Sequence, residues 1–345
     1  MTELLPAFFE QFHAAFERAA SRQSSRLKSR IRAGGVTFQL CFATACMQDA
    51  LLPALRHLVV PANDAAGDDF SVSIWESATT GVQPPPPPQP LINPATKGEI
   101  PELTDARFAG HVSQGSGAIS FFDAGARAAI YWMADVRRLQ GWDRAAPLLQ
   151  IFQWCFQRSA RQITHAAVVG SASGAALLAG KGGSGKSTTA ALAHEGGLMH
   201  LGDDYCLVAD EPPRVFTFYR SMKLHPHSLR LGPLATRPRE TAWAADDKNV
   251  LLLEDRDGAR ELPLKMILLP RVTGTGATKA RPASAAEALR ALAPSSLFQL
   301  PGTTAATFQF FSRLARQLPA FHLDLGADAE NVAARVSELL EGAAP

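Results

Sequence analysis

A run of glycines, a lysine and a serine in the middle of the chain has the composition and spacing of a phosphate-binding loop. Glycines allow consecutive backbone N–H groups to turn toward one anion, and the N-terminus of a following helix adds favourable dipoles. The pattern G-x-x-x-x-G-K-[ST] adds a lysine for the β- and γ-phosphates of a nucleotide and a hydroxyl ligand for Mg²⁺. The chain meets this pattern at Gly180, Lys181, Gly182, Gly183, Ser184, Gly185, Lys186 and Ser187, and Thr188 follows. We predict that the loop and Thr188 bind the phosphates of ATP, with Lys186 as the catalytic cation and Ser187 as a metal ligand.

Two adjacent carboxylates follow the loop in sequence. Apolar residues flank Asp203 and Asp204 on both sides in the run Met199–Val208, which predicts that the two aspartates lie at the end of a strand or in a tight turn. Neighbouring side chains there point to different faces, so one carboxylate can face a metal ion while the other faces an incoming hydroxyl. We assign Asp203 to Mg²⁺ and Asp204 to the role of catalytic base, and the residues alone leave the reverse assignment open.

Further polar residues surround these motifs in sequence. His165 is predicted on the strand beside the one that leads into the loop, where it is either a core histidine or an active-site residue. Arg220 and Lys223 follow a predicted strand over Val215–Tyr219. They either clamp the γ-phosphate, as cations do in phosphoryl transfer, or belong to an exposed basic loop.

Two other groups of polar residues have simpler interpretations. His225 and His227, with a proline between them, are predicted to lie in a loop rather than in a metal site. Asp246, Asp247 and Lys248 predict a solvated turn in which Lys248 is a candidate for reaching a phosphate.

The elements around the loop have the right order for a phosphate site. An apolar strand, Ala175–Ala179, precedes it and an Ala-rich helix, Thr188–His194, follows it. The uncharged run Ile163–Gly180 predicts two strands joined by a turn at Ser171–Gly174 rather than a membrane span. From Arg161 onward strands alternate with helices, which is typical of an α/β fold. Later predicted elements are a strand over Leu264–Pro270, a helix over Ser284–Leu292, a strand over Ala320–Leu325 and a helix over Ala329–Leu340.

The N-terminal region predicts a smaller α+β domain. Its first helix has an apolar stripe that could lie on a membrane or a partner, although packing on its own domain is favoured; the stripe is Leu5, Phe8, Phe9, Phe12 and Phe16. Strands are predicted over Gly35–Phe42, Phe70–Trp75, Ala118–Phe122 and Ala128–Trp132, and helices over Asp49–Leu58 and Trp142–Gln157. The proline tract Gln83–Pro90 predicts polyproline II, as a spacer or as a ligand for an aromatic groove. We place the domains at residues 1–145 and 146–345.

Composition excludes several classes of protein. Apolar residues make up 46% of the chain and the net charge is only +2, which excludes an intrinsically disordered chain. The same balance gives no electrostatic basis for nucleic-acid binding. The four cysteines form no CxxC motif, so we expect reduced thiols. Because the first residues also lack the pattern of a secretory signal, we expect a cytoplasmic protein without a membrane span.

His165, the loop and the Asp203-Asp204 pair occur in an order that resembles the catalytic domain of the HPr kinase/phosphorylase family. The resemblance covers Gln162–Val208 well and continues more loosely to the C-terminus. It implies a fold similar to that of phosphoenolpyruvate carboxykinase, a mixed sheet flanked by helices. It also implies that Asp204 accepts the proton of the substrate hydroxyl, that His165 tunes the site, that Lys186 and Ser187 bind phosphate and metal, and that the protein forms a homo-oligomer. The chain departs from the family at Thr188, where the family usually has an acidic residue, and in its first third.

Three functions agree with these residues. The one we favour is an ATP-dependent kinase that transfers the γ-phosphoryl group of Mg-ATP to a serine-type hydroxyl of a protein or peptide. The alternatives are a small-molecule kinase on the same fold and a nucleotide-dependent switch without catalysis. The N-K-x-D, G-x-S-x-G and HExxH motifs are absent from the sequence, so a Ras-like GTPase, an esterase-type hydrolase and a zinc protease have no support.

Overall fold

The chain divides into two compact units. The computed structural model describes residues 4–22, 27–61, 67–87, 98–235, 241–255, 258–300, 302 and 305–342. Unit 1 is Met1–Ser159 and unit 2 is Ala160–Pro345. The division follows Ser159 rather than residue 145, because the helix that precedes Ser159 packs on the sheet of unit 1. In the proline tract, residues 83–87 have no regular secondary structure and residues 88–90 lie outside the described residues.

Unit 1 combines a mixed sheet with α-helices. Its strands are β1 (Leu27–Ala33), β2 (Val36–Phe42), β3 (Phe70–Glu76), β4 (Phe108–Val112), β5 (Ile119–Asp123) and β6 (Ala128–Met133). Its helices are α1 (Leu4–Ser21), α2 (Ala45–Leu51), α3 (Ser77–Thr80), α4 (Gly141–Ala145) and α5 (Leu149–Phe156). Within the described residues the strands form one sheet in the order β1-β2-β3-β6-β5-β4, with β2, β3 and β6 parallel.

Alternation along β5 explains why helices cover both faces of this sheet. Phe121 points toward α1, where its ring centroid lies 5.5 Å from that of Phe8. Phe122, the next residue, points to the opposite face and stacks on Trp154 of α5 at 5.9 Å. The apolar stripe predicted for the first helix is buried on its own unit, as favoured from the sequence: Leu5, Phe8, Phe9, Phe12 and Phe16 all belong to this core.

Two helices predicted for unit 1 are broken in the structure. The prediction of one helix over Trp142–Gln157 is wrong, because α4 ends at Ala145 and α5 begins at Leu149. Pro147 cannot donate a helical hydrogen bond, and Leu148 has a φ of 57°, which no helix interior adopts. The prediction over Asp49–Leu58 is likewise replaced by α2 and a 3-10 helix over Pro53–Leu58.

Unit 2 contains the predicted phosphate loop. Its strands are β7 (Gln162–Thr164), β8 (Ala167–Ser171), β9 (Gly174–Leu178), β10 (Met199–Gly202), β11 (Cys206–Asp210), β12 (Pro213–Phe216), β13 (Ser221–Leu224), β14 (Trp243–Ala245), β15 (Lys248–Leu252), β16 (Glu261–Val272), β17 (Lys279–Ala283) and β18 (Ala320–Leu325). Its helices are α6 (Lys186–Glu195), α7 (Gly232–Ala235), α8 (Ala285–Gln299), α9 (Ala305–Gln317) and α10 (Val332–Leu340).

The main sheet of unit 2 is mixed and buried on both faces. Its order is β10-β8-β9-β16-β12-β11-β7, with β18 on β16 and β17 on β18, and β16 pairs in parallel with β9 and β18. Residues of β9 alternate between two cores: Leu177 faces the core of α8 and α9, and Leu178 faces the core of α6 and α10. The antiparallel pairing of β8 with β9 confirms the hairpin predicted at Ser171–Gly174. The α/β prediction is confirmed at this level: a mixed sheet flanked by helices.

A second, smaller sheet contributes to the site. It has the order β13-β15-β14 and is called the small sheet below. Met222, Leu224 and Leu251 on one of its faces belong to the core that also contains α6. The residues between them along the strands therefore point to the other face.

Two expectations about membranes and thiols can be compared with the structure. In the part of the chain that the structure describes, we find no helix with the length and apolarity needed to cross a membrane. All four cysteines are free thiols, and Cys41, Cys155 and Cys206 are buried.

Candidate active site

A cavity of about 380 Å³ in unit 2 brings most of the predicted site residues together. One part of its wall is the glycine-rich loop with the start of α6, and another is the edge of the small sheet. The side chains of His165, Asp204 and Tyr205 form a further part of the wall. Its described lining is His165, Gly182, Gly183, Gly185, Lys186, Ser187, Thr188, Asp204, Tyr205, Lys223, Leu224, His225, His227, Ser228, Lys248, Val272 and Gln299.

The glycine-rich loop connects β9 to α6, as the motif requires. Gly183 and Gly185 have φ angles of 77° and 104°, a backbone region in which other residues are strained. A Cβ at Gly185 would also lie 2.7 Å from Leu325 Cδ1, whereas Gly182 and Gly183 have open space on that side. The turn and a free approach to the backbone N–H groups therefore both depend on glycine here.

Lys186 is the first residue of α6 and is buried. Its Nζ donates hydrogen bonds to the carbonyl oxygens of Gly180 at 2.7 Å and Lys181 at 3.2 Å, so the ammonium lies across the loop. Burial lowers its pKa, Asp203 and Asp204 oppose that effect, and Lys248 adds to it. Thr188, the third residue of α6, shares a hydrogen bond of 2.9 Å with the hydroxyl of Ser228.

The loop also contains a buried hydroxyl without a partner. Ser184 Oγ is buried and has no hydrogen-bond partner among the described residues. A Cβ at Gly180 would lie 2.6 Å from this oxygen, so the two residues pack tightly inside the loop.

Asp203 and Asp204 follow β10, as predicted, and have different surroundings. Asp203 is 2% exposed and its Oδ2 accepts the backbone N–H of Lys223 at 3.0 Å. Its Oδ1 is buried without a hydrogen-bond partner in the described residues. Burial and the charge of Asp204 raise its pKa, and the nearby Ser187 hydroxyl and Lys223 oppose them. Asp203 thus places a carboxylate oxygen that lacks a protein partner in the neighbourhood of Ser187.

Asp204 faces the cavity between two basic side chains. Its Oδ1 lies 3.3 Å from Nε2 of His165, and its Oδ2 forms an ion pair with the ammonium of Lys223. Burial alone would raise its pKa, but Lys223 and His165 outweigh burial and hold that pKa far below its usual range. Asp204 is therefore a carboxylate anion throughout the physiological pH range.

His165 is held from behind by α8. It lies between β7 and β8 rather than on the strand itself, and its backbone N–H donates to Ser296 Oγ at 3.0 Å. Its Nδ1 is buried with no partner among the described residues. Of the two interpretations from the sequence, the structure favours a histidine in the site, because the ring reaches both the cavity and Asp204.

Arg220 and Lys223 are separated by the fold. The predicted strand over Val215–Tyr219 ends at Phe216, and Lys223 lies within β13 of the small sheet. Arg220 is buried, paired with Asp255, and donates to the carbonyl of His200 at 3.1 Å. It is not among the described residues that line the cavity, so the structure brings only Lys223 to the site.

Lys248, which the sequence made a candidate for reaching a phosphate, begins β15 beyond the Asp246-Asp247 turn and lines the cavity. Other lining residues were not assigned to the site from the sequence. His225 stacks on His227 and pairs with Asp247 at 3.1 Å. Tyr205 and Gln299 also line the cavity. None of these residues has a local motif that would have identified it, because strand pairing alone brings them to the loop.

The donors and acceptors present fit a phosphate and a hard cation. Backbone N–H groups with open approach and a lysine suit the phosphate, whereas Ser187 and Asp203 Oδ1 are the oxygen ligands that Mg²⁺ prefers. In the described residues no group of three or more His, Cys, Asp or Glu side chains could hold a metal ion by itself. Such a site suits Mg²⁺, which usually takes one or two protein ligands together with phosphate oxygens and water.

Compared with known proteins, the chain matches no family model and has no significant match among the curated proteins.

Proposed function

We propose that the chain is an ATP-dependent kinase that transfers the γ-phosphoryl group of Mg-ATP to a serine-type hydroxyl of a protein or peptide. The observation that carries the proposal is the meeting of two parts in one cavity. One part is the phosphate loop with Lys186 and Ser187, and the other is the ionised Asp204 between His165 and Lys223. Phosphoryl transfer needs a phosphate site next to a group that orients the attacking hydroxyl.

The proposed fold of unit 2 is that of the HPr kinase catalytic domain. The order of His165, the loop and the Asp203-Asp204 pair supports it, as does the strand–loop–helix arrangement around the loop. The mixed sheet with helices on both faces agrees with it but is shared by many α/β folds.

In this mechanism the loop and Lys186 hold the phosphates and Asp204 positions the acceptor. The acceptor oxygen forms a bond to the γ-phosphorus while the bond to the bridging oxygen of ADP breaks, and the hydroxyl proton passes to Asp204. A carboxylate with a depressed pKa is a weak base. The transition state of phosphoryl transfer is loose, however, so the acceptor hydroxyl loses its proton to Asp204 only late in the reaction. Asp204 therefore acts mainly by orienting the hydroxyl, and His165 and Lys223 fix the orientation of its carboxylate.

Ser187 and Asp203 would hold Mg²⁺ when it is bound. The ion would neutralise charge on the β- and γ-phosphates, which is the chemistry it supplies in phosphotransferases. The exposed face of the cavity beside Asp204 would then be left to the acceptor.

The test is incubation of the full chain with γ-labelled ATP, Mg²⁺ and candidate proteins and peptides, followed by mass spectrometry. We expect a phosphorylated serine with the natural chain and none with Lys186→Met. Label on a small alcohol instead would indicate the small-molecule kinase. Nucleotide-enhanced binding of a partner with no phosphorylated product would overturn the kinase and support the switch.

A further inference from the structure

The pairing of β13 with β15 puts basic side chains on one face of the small sheet. Lys223 is directly opposite Val250 in this antiparallel pair, and cross-strand partners share a face. Lys248 is two residues from Val250 along β15, so it points to the same face as Lys223. The opposite face, with Met222, Leu224 and Leu251, is in the core. The small sheet therefore presents Lys223 and Lys248 together to the cavity that the phosphate loop lines.

The cavity lysines differ in their partners. The ammonium of Lys186 is bound to two carbonyl oxygens of the loop, and that of Lys223 is paired with Asp204. Lys248 is half-buried, and its ammonium has no hydrogen-bond or ion-pair partner in the described parts of the chain. It is therefore the cavity lysine whose charge is available to a ligand.

Lys248 and Lys186 face the same space. Both side chains line the same cavity of about 380 Å³, so their two positive charges repel each other there. A ligand that carries several negative charges on adjacent groups relieves this repulsion, and a chain of phosphates is such a ligand. Because the loop and Lys186 hold one side of that chain, Lys248 is placed to reach the phosphate that extends toward the small sheet and Asp204.

We propose that Lys248 binds the terminal phosphate of a nucleoside triphosphate, so that the small sheet distinguishes triphosphate from diphosphate. The inference rests on the proposed nucleotide binding, but it does not depend on transfer to any acceptor. Lys223 then remains paired with Asp204 as a positioning residue. Lys248, rather than Lys223, binds the γ-phosphate.

The test is calorimetric titration of the full chain with Mg²⁺ and either a non-hydrolysable ATP analogue or ADP. For Lys248→Met we expect the affinity for the triphosphate to fall about 10- to 100-fold, the value of a charged hydrogen bond. The affinity for ADP should change by less than about threefold, and Lys248→Arg should restore most of the triphosphate affinity. Lys265→Met, at an exposed lysine of β16 outside the cavity lining, is the matched control and should bind both nucleotides normally.

The possible outcomes separate this inference from the proposed kinase. If Lys248→Met lowers the affinities for triphosphate and diphosphate equally, or lowers neither, the role of Lys248 is overturned. This holds even if the natural chain phosphorylates its acceptor. A selective loss of triphosphate affinity in a chain that transfers no phosphoryl group supports Lys248 and overturns the kinase. If thermal unfolding shows that Lys248→Met is misfolded, the same titrations are made with Lys248→Gln, which keeps a polar side chain. A selective fall in triphosphate affinity again supports the role of Lys248, and an equal fall for both nucleotides or no fall again overturns it.

Discussion

Asp203 and Asp204 are neighbours in sequence, yet their surroundings shift their pKa values in opposite directions. Asp203 is enclosed beside a second carboxylate, and its pKa is raised; Asp204 lies between two basic groups, and its pKa is lowered. Asp204 also has a φ of 67°, which turns its side chain out of the strand direction and into the cavity. Local backbone strain of this kind is often found at functional sites.

At this scale we predict that Asp204→Asn loses phosphoryl transfer but still binds nucleotide. Asparagine adopts a positive φ as readily as aspartate, so the backbone is preserved while the anion that orients the hydroxyl is removed. The expected fall in turnover is about 10²- to 10⁴-fold. It is measured as the rate of product formation, with nucleotide affinity measured in parallel by calorimetry.

Asp246→Asn is the matched control for this substitution. Asp246 is exposed and also has a positive φ, of 53°, but does not line the cavity. It should leave turnover unchanged. Turnover of Asp204→Asn equal to that of the natural chain would contradict the role assigned to Asp204.

Helix α8 is the element that supports the site from behind. Its residue Ser296 accepts the backbone N–H of His165, and Gln299 at its end lines the cavity. The helix begins with a capping box in which Ser284 Oγ accepts the N–H of Glu287 and Glu287 Oε2 accepts the N–H of Ser284. His322 of β18 lies 3.1 Å from the other oxygen of Glu287, so the cap also joins the helix to the sheet.

We predict that Ser284→Ala destabilises unit 2 by about 1 kcal/mol, the usual effect of losing a helix N-cap. The measurement is the free energy of unfolding in urea. Equal stability of Ser284→Ala and the natural chain would mean that the cap is unimportant for α8.

The same cap predicts a dependence of stability on pH. Hydrogen bonds from Ser284 and then His322 lower the pKa of Glu287 from 4.5 to about 2. A depressed pKa means that Glu287 stabilises the fold above pH 4.5 and loses this effect as the pH falls toward 2. The stability difference between the natural chain and Glu287→Gln should therefore be largest above about pH 5 and shrink between about pH 4.5 and 2.

At the scale of the whole molecule, each unit has its own core. In unit 1 the rings of Phe152 and Phe156 on α5 lie 4.9 Å and 5.5 Å from that of Phe38 on β2. Fully burying a phenylalanine contributes roughly 1.5–3 kcal/mol, and a domain is stable by only about 5–15 kcal/mol. Removal of α5 would therefore lower the free energy of unfolding of unit 1 by a large fraction.

We predict that a fragment of residues 1–159 folds and that a fragment of residues 1–145 does not. The shorter fragment lacks α5 and exposes Phe38 and Phe122. Cooperative thermal unfolding, followed by near-ultraviolet circular dichroism, distinguishes the two. Cooperative unfolding of residues 1–145 at the same temperature as residues 1–159 would contradict the boundary after Ser159.

Much of the architecture could be predicted from the sequence because it depends on local patterns. Alternating apolar residues predicted β2, β3, β5, β6 and β18 close to their observed bounds. The helix break at Pro147 and Leu148 was missed, because the apolar periodicity of Trp142–Gln157 continues through it. Periodicity reports which side chains can be buried together, but it does not report a change of backbone direction between them.

The glycine-rich loop and the Asp203-Asp204 pair were determined by the sequence itself, since neighbouring residues and the start of one helix create them. The ion pair of Lys223 with Asp204, the position of Arg220 beside Asp255 and the arrival of Lys248 at the cavity were decided only by the tertiary structure. Each of these depends on which strands pair and in which register, and a shift of one residue would turn Lys223 and Lys248 into the core. Contacts between residues distant in sequence depend on that register, which no local pattern in this chain specifies.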